Sequence, residues 1–236
     1  MALPRRPALG TSRREFSEKS DVYYHLGPAR RFDSAALLEA YASGYFPMGD
    51  EDGAIQWITS DPRFVLPIGN LHVPRSLARF ARKCPFDLRV DTAFRRVMEF
   101  CAQDRGDENL CWITPRMIDV YTELHRAGYA HSVEAWLGGV LVGGLYGVSI
   151  GAAFFGESMF TRVEVGGANS SKLCLLELDR RLVAGGYQLL DSQEQNPHMS
   201  QFGGEVIDFE GYRELLEAAI LLPVRPCWRG TSESEM

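Results

Sequence analysis

The chain has 236 residues, 45% of them hydrophobic and 24% charged, proportions of an ordinary globular protein that exclude a disordered or fibrous chain. Lys and Arg number 25 against 31 Asp and Glu, a net charge of −6, so a polyanionic partner must find a local basic patch. Five cysteines (Cys84, Cys101, Cys111, Cys174, Cys227) are odd in number and form no C-x-x-C, which favours reduced thiols in a cytoplasmic protein over a disulfide framework.

Residues 1–22 are basic and lack an apolar run of signal-peptide length, so they read as an unstructured arm. Asp33-Ser34 caps a helix that turns Leu37, Leu38 and Tyr41 to one face and stops at Gly44. Gly44 to Met48 reads as an aromatic loop, and 57–67 as a strand broken at Asp61-Pro62. Residues 23–68 are too few for a core of their own and are expected to form a small N-terminal domain packed on the rest. Pro74 opens a helix with Leu77, Phe80 and Ala81 inward; Arg75, Arg79, Arg82 and Lys83 fall mostly on the opposite side. Asp91 reads as the cap of a helix ending at Cys101. Thr114-Pro115 starts another, with Met117, Ile118, Tyr121 and Leu124 inward and Gly128 as its end.

Ala135 to Phe155 carries no charge over 21 residues, long enough to span a bilayer, with glycines at 139, 143, 147 and 151. Glycine is costly in a soluble helix, and the flanks are the acidic Glu134 and Glu157 rather than anchoring cations. The segment divides instead into HSVEAW, VLVGGLYGVS and AAFFGESMF. These are three strands of two hairpins, with glycine at the turns and at points of close backbone approach. No membrane span is expected. A glycine loop at 166–167, a helix from Ser170 to about Ala184, a strand 187–191 and a helix 211–220 follow, then a polar tail from 223 to 236. Helices, an antiparallel meander, then helix and strand make an α+β layout, with 69–222 as the larger C-terminal domain.

The five histidines show no metal-ligand spacing with cysteine or with one another. Gly156-Glu157-Ser158-Met159-Phe160 lacks the glycine spacing of a nucleophile elbow, and the 166–172 loop lacks that of a Walker A motif. Glu157 stands out because it ends an apolar run, where a carboxylate is either paired or turned to solvent; spacing alone favours solvent. Asp191 and Gln193 follow the apolar strand at a spacing of two, which puts both on one face. An ordinary strand-to-loop exit is the commoner cause of such a pattern. The Arg75–Lys83 cluster reads as solvated helix surface or as the place where a phosphate backbone lands.

Taken together, GYFPM (44–48), W-x-x-S-D-P-R (57–63), LHVPRSLARF (71–80), CWITPRMIDVYTELHRAGYAHSVEAW (111–136), VGGLYGV (142–148), FGESMF (155–160), SSK (170–172) and LLDSQ (189–193) resemble the leucyl/phenylalanyl-tRNA–protein transferases in consistent order. The resemblance implies a small N-terminal domain on an acetyltransferase-like (GNAT-like) catalytic domain with a mainly antiparallel sheet. It implies transfer of Leu or Phe from aminoacyl-tRNA to the α-amine of proteins beginning with Arg or Lys, which tags them for degradation, with no metal or soluble cofactor. In that family's pattern Gln193 matches the glutamine that hydrogen-bonds the attacking amine, Asp191 the aspartate that orients it, and Glu157 the glutamate near the acceptor amine.

Leu145, Phe154 and Leu178 are then candidates for the aminoacyl pocket, together with Tyr121 and Gly156. Met48 and Trp112 become candidates for the terminal adenosine, and Arg75, Arg79, Arg82 and Lys83 for the tRNA stem. Met48, Leu145 and Leu178 replace a Trp, a Met and a Phe found in some members, which leaves the Leu-versus-Phe preference open. Nothing in the sequence demands a dimer, so a monomer is expected. The competing readings are an acyl-CoA-dependent N-acyltransferase and a non-catalytic tRNA- or degron-binding module.

Overall fold

The computed structural model describes residues 22–103 and 112–228. The expected arm (but for Val22), Cys111 and the tail beyond 228 lie outside the described residues.

The N-terminal part comprises β1 (Val22–Pro28), α1 (Ser34–Ala42), β2 (Phe46–Gly49) and β3 (Ile55–Asp61). The strands form an antiparallel sheet in the order β1-β3-β2. Asp33 caps α1 as expected, its carboxylate accepting the Ala36 N–H at 2.9 Å. The segment read as an aromatic loop is the edge strand β2, with Phe46 opposite Ile58 and Met48 opposite Gln56. Pro47 is compatible with this because an edge strand has a side that needs no donor.

Beyond Pro62 the chain leaves this sheet. β4 (Arg63–Leu66) joins a larger one, followed by α2 (Arg75–Ala81), β5 (Asp87–Val90), α3 (Phe94–Cys101), α4 (Pro115–Arg126), β6 (Ala130–Leu137), β7 (Val140–Ile150), β8 (Ala153–Thr161), α5 (Ser170–Gly185), β9 (Leu189–Asp191), α6 (Pro197–Ser200), β10 (Glu205–Ile207) and α7 (Phe209–Ile220). The seven strands run β10-β4-β9-β8-β7-β6-β5 and pair antiparallel except β8 with β9, which α5 joins as a crossover. The class is α+β with a mainly antiparallel sheet. One face of the sheet packs against α1, α3, α4 and α7 through Leu37, Met98, Met117 and Leu216, and the other against α2 and α5 through Leu77, Leu175 and Leu182.

The uncharged stretch from Ala135 to Phe155 is the β6–β7–β8 meander, and among the described residues no helix is long and apolar enough to cross a membrane. Its glycines admit neighbours that a side chain would exclude. A Cβ on Gly143 would lie 1.9 Å from Ser170 Oγ at the start of α5, and one on Gly147 would lie 2.2 Å from the Phe155 carbonyl.

Two expectations are corrected here. Asp91 is not the cap of α3. It sits at φ 60° and accepts from the Ser132 N–H and from His131 Nδ1. The N-terminus of α3 is held instead by Glu134, a fully buried carboxylate on β6 that accepts the Thr92 and Ala93 N–H groups. The start of the tail is not solvated either. Trp228 folds back to stack on His131 at 4.1 Å and on Phe154 at 5.3 Å, and it donates to Tyr187 Oη.

Candidate active site

Parallel pairing of β8 with β9 covers only Ala153–Phe155 against Leu189–Asp191. Beyond that point the two chains part, and a cavity of about 430 Å³ opens between them. Leu66, Leu145, Leu175, Leu178 and Leu190 make its apolar wall; Gly156, Glu157, Asp191 and Gln193 stand at its polar end.

A bulge aims Glu157. β7 pairs Tyr146 with Ser158 and Gly147 with Gly156, which leaves Glu157 as the extra, unpaired residue of β8. A bulged residue turns out of the ladder, so Glu157 faces the cavity rather than bulk solvent. Its Oε2 accepts from Tyr121 Oη at 3.2 Å, and its Oε1 from Gln193 Nε2 at 3.4 Å. Tyr121 in turn makes a short hydrogen bond to Tyr41, both hydroxyls being fully buried. Burial pushes the Glu157 pKa up to about 7, against the lowering effect of the Tyr41 and Tyr121 hydrogen bonds; the charge of nearby Asp191 adds to the rise. Burial first, and the Glu157 charge second, raise both tyrosines well above their ordinary range, so they remain neutral donors.

Asp191 is fully buried and its carboxylate is saturated. Arg63 Nε donates to Oδ1 at 2.9 Å and Nη2 to Oδ2 at 2.7 Å; Tyr212 Oη donates to Oδ2 at 2.7 Å and the Gln193 N–H to Oδ1 at 2.9 Å. Both residues line the cavity, but β9 ends at Asp191, so they do not share a strand face as their spacing suggests. Asp191 ends β9 pointing inward, and Gln193 lies beyond it at φ 51°. The Gln193 carbonyl accepts from Ser60 Oγ at 2.9 Å and from the Phe64 N–H at 3.0 Å. Burial alone would lower the Arg63 pKa, but Asp191 holds it above its ordinary value. Tyr212 is likewise raised, by burial above all.

Of the other expected pocket residues, Leu145, Gly156 and Leu178 line the cavity, and Tyr121 reaches it through Glu157. Phe154 does not. It points to the opposite side, fully buried against Trp228 and Tyr187. Met48 and Trp112 are outside the cavity wall; Gly49, the residue after Met48, donates its N–H to the Trp112 carbonyl at 3.0 Å. Arg75, Arg79, Arg82 and Lys83 are exposed on and just after α2 and contribute nothing to the cavity lining. Among the described residues no three His, Cys, Asp or Glu side chains converge as a metal site requires.

Sequence reasoning assigned no role to Arg63, Tyr41 or Tyr212. Arg63 had a signal, since it opens the apolar run Phe64-Val65-Leu66, where a cation must be paired.

Two family models match the chain: leucyl/phenylalanyl-tRNA protein transferase over residues 65–217, and the N-terminal domain of the same family over residues 30–61. Among similar proteins, the leucyl/phenylalanyl-tRNA–protein transferase of Salinibacter ruber is 47% identical over 200 residues, 84% of each chain. Those of Phenylobacterium zucineum (46%, covering 81% of this chain and 86% of that one) and Caulobacter vibrioides (47%, covering 79% and 85%) are comparable. Among solved structures, a GCN5-related N-acetyltransferase-like protein from Streptococcus suis superposes with a TM-score of 0.32 at 17% identity, covering 74% of this chain and 64% of that one.

Proposed function

The chain belongs to the leucyl/phenylalanyl-tRNA–protein transferase family, and from that premise we propose how its residues divide the work of moving an aminoacyl group from tRNA to protein. The activity is aminoacyl transfer. The ester that joins the amino acid to the terminal ribose is already activated, so the protein must place an amine against a carbonyl carbon and handle one proton.

The leucine-walled end of the cavity takes the Leu or Phe side chain of the donor, and Met48 and Trp112, outside the cavity wall, take the terminal adenosine. This leaves the ester carbonyl at the polar end, beside Glu157 and Gln193. The acceptor is a protein with N-terminal Arg or Lys. Its positive charge draws the Glu157 carboxyl into the ionised form, because an opposite charge nearby favours the charged state. Gln193 orients the amine as it attacks. Glu157 accepts the proton that the new C–N bond releases and returns it to the ribose oxygen as the C–O bond breaks. The products are a new peptide bond and a deacylated tRNA. The exposed Arg75, Arg79, Arg82 and Lys83 hold the acceptor arm of the tRNA. The enzyme works as a monomer in the cytoplasm.

The observation that carries this reading is the bulged Glu157, its pKa pushed up to about 7, hydrogen-bonded to Gln193 at the polar end of the cavity. The test is transfer of labelled Leu and Phe from charged tRNA to peptides beginning with Arg, Lys, Asp or Ala. Transfer to Arg and Lys peptides only is expected. Equal transfer to Asp or Ala peptides would overturn the acceptor assignment, and binding of tRNA with no transfer would overturn the enzymatic one.

A further inference from the structure

Arg63 is fully buried, yet it lines no part of the cavity and touches no place where a reacting atom would sit. Its guanidinium has partners on every side. One edge forms a two-point ion pair with Asp191, at 2.9 and 2.7 Å. Nη1 donates to the Gly44 carbonyl and to Thr59 Oγ1, both at 3.2 Å. The flat faces lie against Phe46 and Tyr212, 4.9 and 4.5 Å from the ring centroids. Gly44, Phe46 and Thr59 belong to the N-terminal sheet and the turn that enters it, while Asp191 ends the catalytic strand. Asp191 has no oxygen to spare for substrate, and what it holds on the catalytic side is the Gln193 N–H.

We propose that Arg63 is a positioning residue for aminoacyl transfer. It fixes Gln193 through Asp191 and ties that position to β2, the strand that carries Met48. The proposal rests on the reading of Gln193 given above. Gln193 sits in the left-handed region, which a residue with a side chain adopts only when its surroundings impose it. The surroundings here are the Asp191 carboxylate on its N–H and Ser60 and Phe64 on its carbonyl. A fixed fork at Arg63 sets where that carboxylate lies. Lysine keeps the charge but loses the two-point geometry, so it separates positioning from simple charge neutralisation.

The experiment is a double-mutant cycle on the full chain. Arg63→Lys is made in the wild type and in Gln193→Ala, and kcat and KM for Phe-tRNA are measured alongside the thermal midpoint. In the wild-type background Arg63→Lys is expected to lower kcat about 10- to 100-fold, the scale of a misplacement of about 1 Å, and to change KM less than about threefold. In the Gln193→Ala background it should cost less than about twofold further, because there is no longer a side chain to misplace. Should Arg63→Lys fail to fold, Tyr212→Phe serves in its place. It removes a donor to Asp191 and an acceptor of Arg63 Nη2 at 3.3 Å but leaves both Arg63–Asp191 bonds in place, with a smaller kcat loss that should vanish in the same background. An equal fold loss in both backgrounds, or a lowered thermal midpoint with unchanged kcat, would overturn the proposal. Absence of transfer by the wild type would instead overturn the functional reading, so the two failures are distinguishable.

Discussion

Replacing Glu157 with Gln should stabilise the protein while impairing it, and the gain should depend on pH in a defined way. An ordinary glutamate has a pKa of 4.5, and Glu157 is raised to about 7 in the fold, chiefly by burial. A carboxyl whose folded pKa is raised binds its proton more tightly in the native state, so it lowers stability progressively as pH rises from about 4.5 to about 7. With 1.36 kcal/mol per unit of pKa, linkage between pH 5.5 and pH 8.5 removes about 2 kcal/mol from the wild type. Gln carries no such cost and can still accept from Tyr121. Urea unfolding at the two pH values should therefore show Glu157→Gln gaining about 2 kcal/mol more over the wild type at pH 8.5 than at pH 5.5. An equal stability difference at both pH values would refute the view that the fold holds this carboxyl against ionisation.

Gln193→Ala should lower turnover about 10- to 100-fold with tRNA affinity unchanged, as measured by single-turnover transfer and filter binding; lost tRNA binding would mean the side chain has been given the wrong role. Arg79→Ala should raise KM for aminoacyl-tRNA and flatten the dependence of log KM on log salt by about one unit, the signature of one lost phosphate contact. Gly143→Ala should cost about 1–3 kcal/mol in denaturant unfolding, because its Cβ would lie 1.9 Å from Ser170 Oγ and force α5 away from β7.

How far the sequence could be read depends on whether an element is specified locally. The meander from Ala130 to Thr161 was legible because glycines mark its turns and Glu134 and Glu157 bound its uncharged stretch. The helices starting at Ser34 and Pro115 were legible through Asp33 and Thr114, whose side chains accept the Ala36 and Met117 N–H groups. Strand β5 was not legible because Asp87-Leu88-Arg89-Val90, although it alternates polar and apolar, is too short a run to establish a period.

The site residues came from motif resemblance, and their geometry could not be anticipated from spacing. Glu157 faces the cavity only because β7 and β8 slip by one residue, a matter of pairing between strands. Asp191 points inward because its cation lies 128 residues away. Phe154 stays out of the pocket because Trp228 returns to cover it, which nothing in the alternation of β8 reveals. Each of these outcomes depends on a long-range contact, which local periodicity does not encode.

The pH dependence of kcat/KM for an Arg-initiated peptide, compared between the wild type and Glu157→Gln, tests the proton-transfer assignment most directly. On the proposed mechanism two groups of the wild-type reaction must lose a proton first, Glu157 at about 7 and the peptide α-amine at about 8. The account predicts that log kcat/KM rises with a slope near two below pH 6.5 in the wild type, and near one in Glu157→Gln, where only the amine titrates. A slope near one in both proteins would contradict it, because Glu157 would then take no proton from the attacking amine.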